Sequence, residues 1–264
     1  MRFFVLVGWM ICSFAGFGQS EFQRIKSLEL PAEVNAAAID RVGELYLITN
    51  TNRLIKYDVN GDVQASDDLD SYPEILDPRD GSHVFLYWKK AQQYELRLPD
   101  LKSIAVSQKI DSSFAVTPFL VCPSGDHDIL ILDSADWSLK KISTASNTVL
   151  YETIIFNGEV NPGSLVYMRE YQNFFFILER GVGIHVFNRM GKLLRTIENE
   201  SATWFNFLGE EVYYPANGKL HFFNLFSTEE RELSLPQSFS FALISDERLF
   251  VVKDRSLTSY SVTN

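Results

Sequence analysis

Six polar residues recur along the 264-residue chain at similar intervals: Glu33, Asp70, Asp111, Glu159, Glu200 and Gln237, with 37 to 48 residues between neighbours. Five of them carry carboxylates. If the intervals mark equivalent loops of a repeating fold, their oxygens gather around one end of the molecule. There they would draw a cation or a basic peptide, and oxygen donors from several loops are also what Ca²⁺ takes. A chain with a formal charge of −10 also places acids in many solvated loops. Both readings stand at this point.

Aromatic residues flank the same loops: Tyr72, Trp88, Phe114, Trp137, Trp204 and Phe239. Exposed rings would form a stacking platform for a sugar or a peptide side chain; rings turned inward would pack between repeats. Trp137, between Asp136 and Ser138 in a turn, is the one expected to be exposed. The candidate binding set is therefore Glu33, Asp70, Tyr72, Asp111, Trp137, Glu159, Asn161, Glu200 and Trp204, facing a protein, peptide or glycan.

Other chemistry finds little support. His185 and His221 occupy matching places in Ile-His-Val-Phe and Leu-His-Phe-Phe, which suggests a repeat position, and His83 and His127 belong to the opposite end. No two histidines have the spacing of a metal pair. There is no GxSxG nucleophile elbow, although the members of a Ser-His-Asp set need not be close in sequence. Asp58, Asn60, Gly61 and Asp62 resemble the opening of a calcium loop, but the position that should close it with an acid is Leu69. An ordinary turn is expected there.

The elements that would position these residues read as strands throughout. Ala36 to Asp62 contains an apolar strand, a turn with Asp40 and Gly43, a strand Leu45–Ile48, a polar turn at Asn50–Asn52, a strand Leu54–Tyr57 and a turn with Asn60 and Gly61. The central hairpin of that unit recurs five more times, with turns centred at Thr51, Lys90, Asp136, Gly181, Asn217 and Asp254. Spacings of 36 to 46 residues are those of propeller blades. An all-β, six-bladed β-propeller of four-stranded antiparallel blades follows, with blades over 34–70, 73–110, 114–156, 161–199, 201–236 and 238–264. The outer strand of the second blade is expected at Ser103 to Ser107. The last blade lacks an outer strand, and residues 24–30, with Leu28 and Leu30 alternating, are expected to complete it.

Arg2, an apolar run from Phe3 to Phe17, and small residues Gly16 and Gly18 before Gln19 have the layout of a secretory signal peptide over residues 1–18. Residues 19–264 then form the propeller, exported to the periplasm or beyond the cell and with no membrane insertion after cleavage. Loss of Arg2 makes the chain more acidic still, which excludes nucleic acid and anionic membrane surfaces as natural partners. Cys122 is left as the single cysteine, so no intrachain disulfide forms.

The first blade, with Asp40, Gly43, the Asn52-Arg53-Leu54-Ile55 turn and the Asp58…Gly61 turn, resembles an NHL-type repeat. Phe187-Asn188-Arg189-Met190-Gly191-Lys192 echoes the last of these turns. That superfamily includes six-bladed binding scaffolds and calcium-dependent lactonases of the SMP-30 and gluconolactonase kind. The complete blade grid, with no recognisable catalytic set, points to a non-catalytic exported propeller without a cofactor that binds a protein, peptide or glycan through one face. Its alternatives are a Ca²⁺-dependent hydrolase, with Glu33, Asp111 and Asn161 as oxygen ligands placed by blade position, or a structural part of a cell-envelope assembly.

Overall fold

A computed structural model describes residues 22–79, 81–125, 128–156 and 161–262. The segment read as a signal peptide lies outside the described residues, as do His127 and Glu159. Strand β1 (Phe22–Glu29) precedes the first blade, formed by β2 (Val34–Ile39), β3 (Leu45–Thr49), β4 (Arg53–Tyr57) and β5 (Val63–Asp68). The second is β6 (Ile75–Asp77), β7 (Val84–Trp88), β8 (Gln93–Arg97) and β9 (Gln108–Lys109). The third is β10 (Pro118–Pro123), β11 (Ile129–Asp133), β12 (Ser138–Ser143) and β13 (Thr148–Ile154). The fourth is β14 (Leu165–Tyr171), β15 (Phe174–Glu179), β16 (Gly183–Asn188) and β17 (Leu193–Glu198). The fifth is β18 (Asn206–Leu208), β19 (Glu211–Ala216), β20 (Lys219–Asn224) and β21 (Glu230–Ser234). In the sixth, β22 (Phe241–Ile244), β23 (Arg248–Lys253) and β24 (Ser256–Val262) are followed in the sheet by β1.

Every ladder is antiparallel, and the six four-stranded sheets form a β-propeller. β1 pairs with β24 from Phe22 opposite Val262 to Glu29 opposite Ser256. Phe22 enters the apolar layer between the fifth and sixth blades, whereas Leu30 enters the layer between the sixth and first.

Strand periodicity explains the packing. A middle strand of a blade is covered on both faces, so both alternating sets of side chains must be apolar. In β3, Leu45 and Leu47 pack against Leu243, Phe250 and Val252 of the sixth blade. Tyr46 and Ile48, pointing the other way, meet Leu76, Val84 and Leu86 of the second. Each of six apolar clusters joins one pair of neighbouring blades. Each fully buried Leu, Ile or Phe in them contributes about 1.5–3 kcal/mol before entropy.

The turns quoted for the NHL-type resemblance share one geometry. Asp58 Oδ1 accepts the backbone N–H groups of Asn60 and Asp62, both at 2.9 Å. Asn188 Oδ1 accepts those of Met190 and Lys192 at 3.0 Å, and Asp40 Oδ1 those of Val42 and Glu44 at 3.0 and 2.9 Å. A short side-chain acceptor that bonds its own backbone favours a turn. The calcium-like loop is thus an ordinary turn, tied to β1 by Lys26 Nζ at 2.6 Å from Asp62 Oδ1.

One strand falls elsewhere than expected. The outer strand of the second blade is β9 at Gln108–Lys109, not Ser103 to Ser107. Leu98 to Lys102 forms a tight turn in which Leu101 takes φ 68° and Arg97 donates to the Leu101 carbonyl at 3.1 Å. The chain after it makes only one bridge, Ser103 to Arg97, before reaching β9.

Candidate functional site

The loops that enter the first strand of each blade and the turns between second and third strands lie at one end of the molecule. At that end the second, third and fourth blades line a cavity of about 460 Å³. Tyr72 and Glu74 approach from the loop into β6, Tyr87 and Lys89 from the end of β7, Phe119 from β10 and Arg180 from the turn after β15. Ile75, Val121 and Val166 supply apolar wall.

Tyr72 is 36% exposed and donates its hydroxyl to the Asn35 carbonyl at 3.3 Å, which ties the first blade to the second at the cavity edge. Glu74 Oε2 accepts the Lys89 backbone N–H at 2.8 Å. The Lys89 ammonium stands 3.5 Å from the centre of the Phe119 ring. Burial there holds its pKa below the usual lysine range, and the Glu74 charge opposes that shift. Tyr87 is 1% exposed, and its hydroxyl has no hydrogen-bond partner among the described residues. Burial, with Glu74 nearby, raises its pKa well above that of free tyrosine.

Of the residues proposed from sequence, Tyr72 lines this cavity, and Asn161 precedes Pro162 and Gly163, which also line it. Glu33, Asp70, Asp111 and Glu200 are exposed in loops at this end. Glu159 lies outside the described residues. Trp137, expected to be exposed, is half-buried: its φ of 58° turns the ring back between the third and fourth blades, 6.3 Å from Phe119 and 6.0 Å from Phe156. Trp204 is likewise half-buried against the fifth, sixth and first blades, 5.9 Å from the Tyr213 ring. Trp88, Phe114 and Phe239 also pack between blades.

Two members of the calcium set implied by the resemblance bond backbone close to them in the chain. Asn161 Oδ1 accepts the Gly163 N–H at 3.0 Å, capping the 3-10 turn Pro162–Ser164. Asp111 Oδ1 accepts the Ser113 N–H at 2.8 Å, which holds its pKa below the usual carboxylate range. Among the described residues no three His, Cys, Asp or Glu side chains are grouped to hold a metal. Ser164, Glu179 and His185 do come together, but in an order unsuited to nucleophilic catalysis. The Ser164 hydroxyl donates to Glu179 Oε1 at 3.0 Å, while the His185 ring nitrogens are taken up by Glu179 Oε2 at 2.7 Å and Thr196 Oγ1 at 2.9 Å.

A second cavity, of about 370 Å³, opens at the other end and contains His83. It is built on a charge cluster that sequence spacing does not reveal. Arg169 in β14 reaches Asp77 Oδ1 of β6 at 2.9 Å and Asn206 Oδ1 of β18 at 2.6 Å. Arg79 donates to the carbonyls of Glu170 and Pro123, and Lys141 Nζ lies 3.3 Å from Asp128 Oδ2. Asp77, Asp128, Arg169 and Asn206 are buried, and Arg169 with Asp77 and Asn206 joins the second, fourth and fifth blades. Cys122, in β10, is fully buried, and burial pushes its thiol up to about 12.

No family description and no curated protein sequence matches the chain. Its likenesses are structural. The Neurospora crassa Pan2 WD40 domain is 9% identical, with 94% of this chain and 97% of that chain covered and a TM-score of 0.61. A structure of streptogramin B lyase is 11% identical, with 90% and 87% covered and a TM-score of 0.54. BBS1N, solved in complex with ARL6DN, is 8% identical, with 94% and 98% covered and a TM-score of 0.57. What they share with this chain is the propeller fold. A domain solved in complex with another protein and a lyase stand side by side among them, so function has to be argued from the site.

Proposed function

We propose that the protein is a non-catalytic propeller, exported to the periplasm or the cell exterior, that binds a peptide segment of another protein at the end bearing the 460 Å³ cavity. The observation that carries this is the cavity itself. It is lined by residues of three blades, combines the exposed face of Tyr72 with the Phe119 ring and an apolar wall, and lies at the end that also presents Glu33, Asp70, Asp111 and Glu200. An apolar pocket with a few convergent polar groups is what recognition of a side chain or chain end requires. The propeller of BBS1N, solved with ARL6DN, supports a protein as partner. The reading of residues 1–18 as a signal peptide supports export.

Panning a displayed library of random peptides on the purified protein tests the proposal. Enriched peptides are expected to lose about tenfold or more in affinity for the Tyr72→Ala variant, the loss of one well-packed aromatic anchor. No enrichment, or enrichment indifferent to that substitution, would overturn it.

A further inference from the structure

We infer that the cavity at this end receives a carboxylate carried on an apolar body, and that the C-terminal residue of a peptide is its occupant. This deepens the function proposed above and rests on it.

Two cations line the cavity, Lys89 and Arg180, and among the described residues neither forms an ion pair with a carboxylate. The one acid in the lining, Glu74, accepts the Lys89 backbone N–H. The Lys89 ammonium has given up part of its water to lie against the Phe119 ring, and a partly desolvated cation gains most from an anion that reaches it in the same low-dielectric setting. Tyr87 adds a hydroxyl at the wall, buried without a partner, which would donate to a ligand oxygen that reached it. Lys89 and Arg180 thus line the cavity as donors, while one oxygen of its single acid is already engaged.

The charge balance narrows the ligand further. Lys89 and Arg180 against Glu74 leave a surplus of one positive charge, the complement of a single carboxylate. Exposed Glu33, Asp70, Asp111 and Glu200 at the same end oppose any further negative charge. Ile75, Val121 and Val166 offer nothing polar, so the side chain carried beside the carboxylate is apolar. A C-terminal Leu, Val or Phe meets all three conditions, with the preceding residues neutral or basic. A free monocarboxylic acid with an aryl or alkyl tail shares the chemistry.

The test uses the purified protein and three probes followed by fluorescence anisotropy or competition. These are a fluorescein-labelled pool of hexapeptides ending in Leu, Val or Phe as free acids, the same pool as C-terminal amides, and 3-phenylpropionate. The free-acid pool is expected to bind at least tenfold more tightly than the amide pool, the contribution of hydrogen bonds to a charged group. Lys89→Gln and Arg180→Gln are each expected to erase most of that preference, and Arg180, exposed in its turn, provides a variant that folds if Lys89→Gln does not. Competition by millimolar 3-phenylpropionate as strong as that of the peptide acids would identify the occupant as a free acid and overturn the peptide assignment. Equal binding of acids and amides would overturn the carboxylate and leave peptide binding standing. Absence of binding by both pools would overturn both.

Discussion

Arg169 Nη2 lies 2.9 Å from Asp77 Oδ1, with both side chains at least 96% buried and 92 residues apart in the chain. The pair joins first strands of the second and fourth blades, and Asn206 brings in the fifth. Three blades are thereby fixed to one another by a single guanidinium.

Removal of Arg169 leaves the buried Asp77 carboxylate with Arg79 alone, its guanidinium at 3.6 Å and its backbone N–H at 3.0 Å. Arg169→Met is expected to destabilise the protein by about 3–5 kcal/mol, and the double variant with Asp77→Leu to recover part of that loss. Urea denaturation of the two variants measures it; a single-variant loss under about 1 kcal/mol would show that the pair contributes little.

β1 contributes one strand of the sixth sheet together with Phe22 and, just beyond it, Leu30. Deletion of residues 21–31 is expected to lower the melting temperature by several degrees, since two buried side chains worth roughly 1.5–3 kcal/mol each are lost with the ladder. An unchanged melt would mean that the ring holds without this strand.

Asp133 is fully buried and accepts the backbone N–H groups of Val116, Thr117 and Ala135 and the Lys140 ammonium at 2.7, 2.9, 3.0 and 2.9 Å. Burial alone would raise its pKa; these donors outweigh it and hold the carboxyl below the usual range. A folded pKa below the unfolded value, about 3.9, means a contribution that is complete above that pH and lost as pH falls toward the folded value. Asp133→Asn is therefore expected to lose stability at pH 7 and to show a shallower decline below about pH 4 than the parent protein. Parallel acid limbs in melts from pH 2 to 7 would contradict this.

Gly183 opens β16 with φ 139°, and a Cβ there would run into the Ile197 carbonyl of the neighbouring strand. Gly183→Ala is expected to cost on the order of 3 kcal/mol or more, because backbone on both sides must move. Gly209→Ala provides the comparison: its φ is 57°, but a Cβ meets nothing within 4 Å. Equal melting temperatures for the two variants would remove the steric account.

The blade plan is legible in the sequence because the middle strands are apolar on both faces and the turns carry Asp, Asn and Gly at fixed offsets. Val84–Trp88 and Phe174–Glu179 are such strands, and Asp58 and Asn188 such turns. The site was legible only as an end of the molecule. Lys89 and Lys90 read as the charged tip of a hairpin, and nothing local shows that Lys89 folds onto Phe119 of the next blade. Trp137 misleads for a related reason: its position in a turn implies exposure, whereas its left-handed backbone sends the ring inward. Arg169 and Asp77 come from blades that are not neighbours, and their contact has no signature in either stretch of sequence.

The central claim is that partners engage the end bearing Tyr72, Glu74 and Lys89. A photo-crosslinking amino acid placed at position 72, and in a separate variant at exposed Asp246 at the opposite end, tests it in the native cell. The account predicts a discrete protein adduct from position 72 and none from position 246. Adducts from position 246 alone would place recognition at the end built on Arg169 and contradict it.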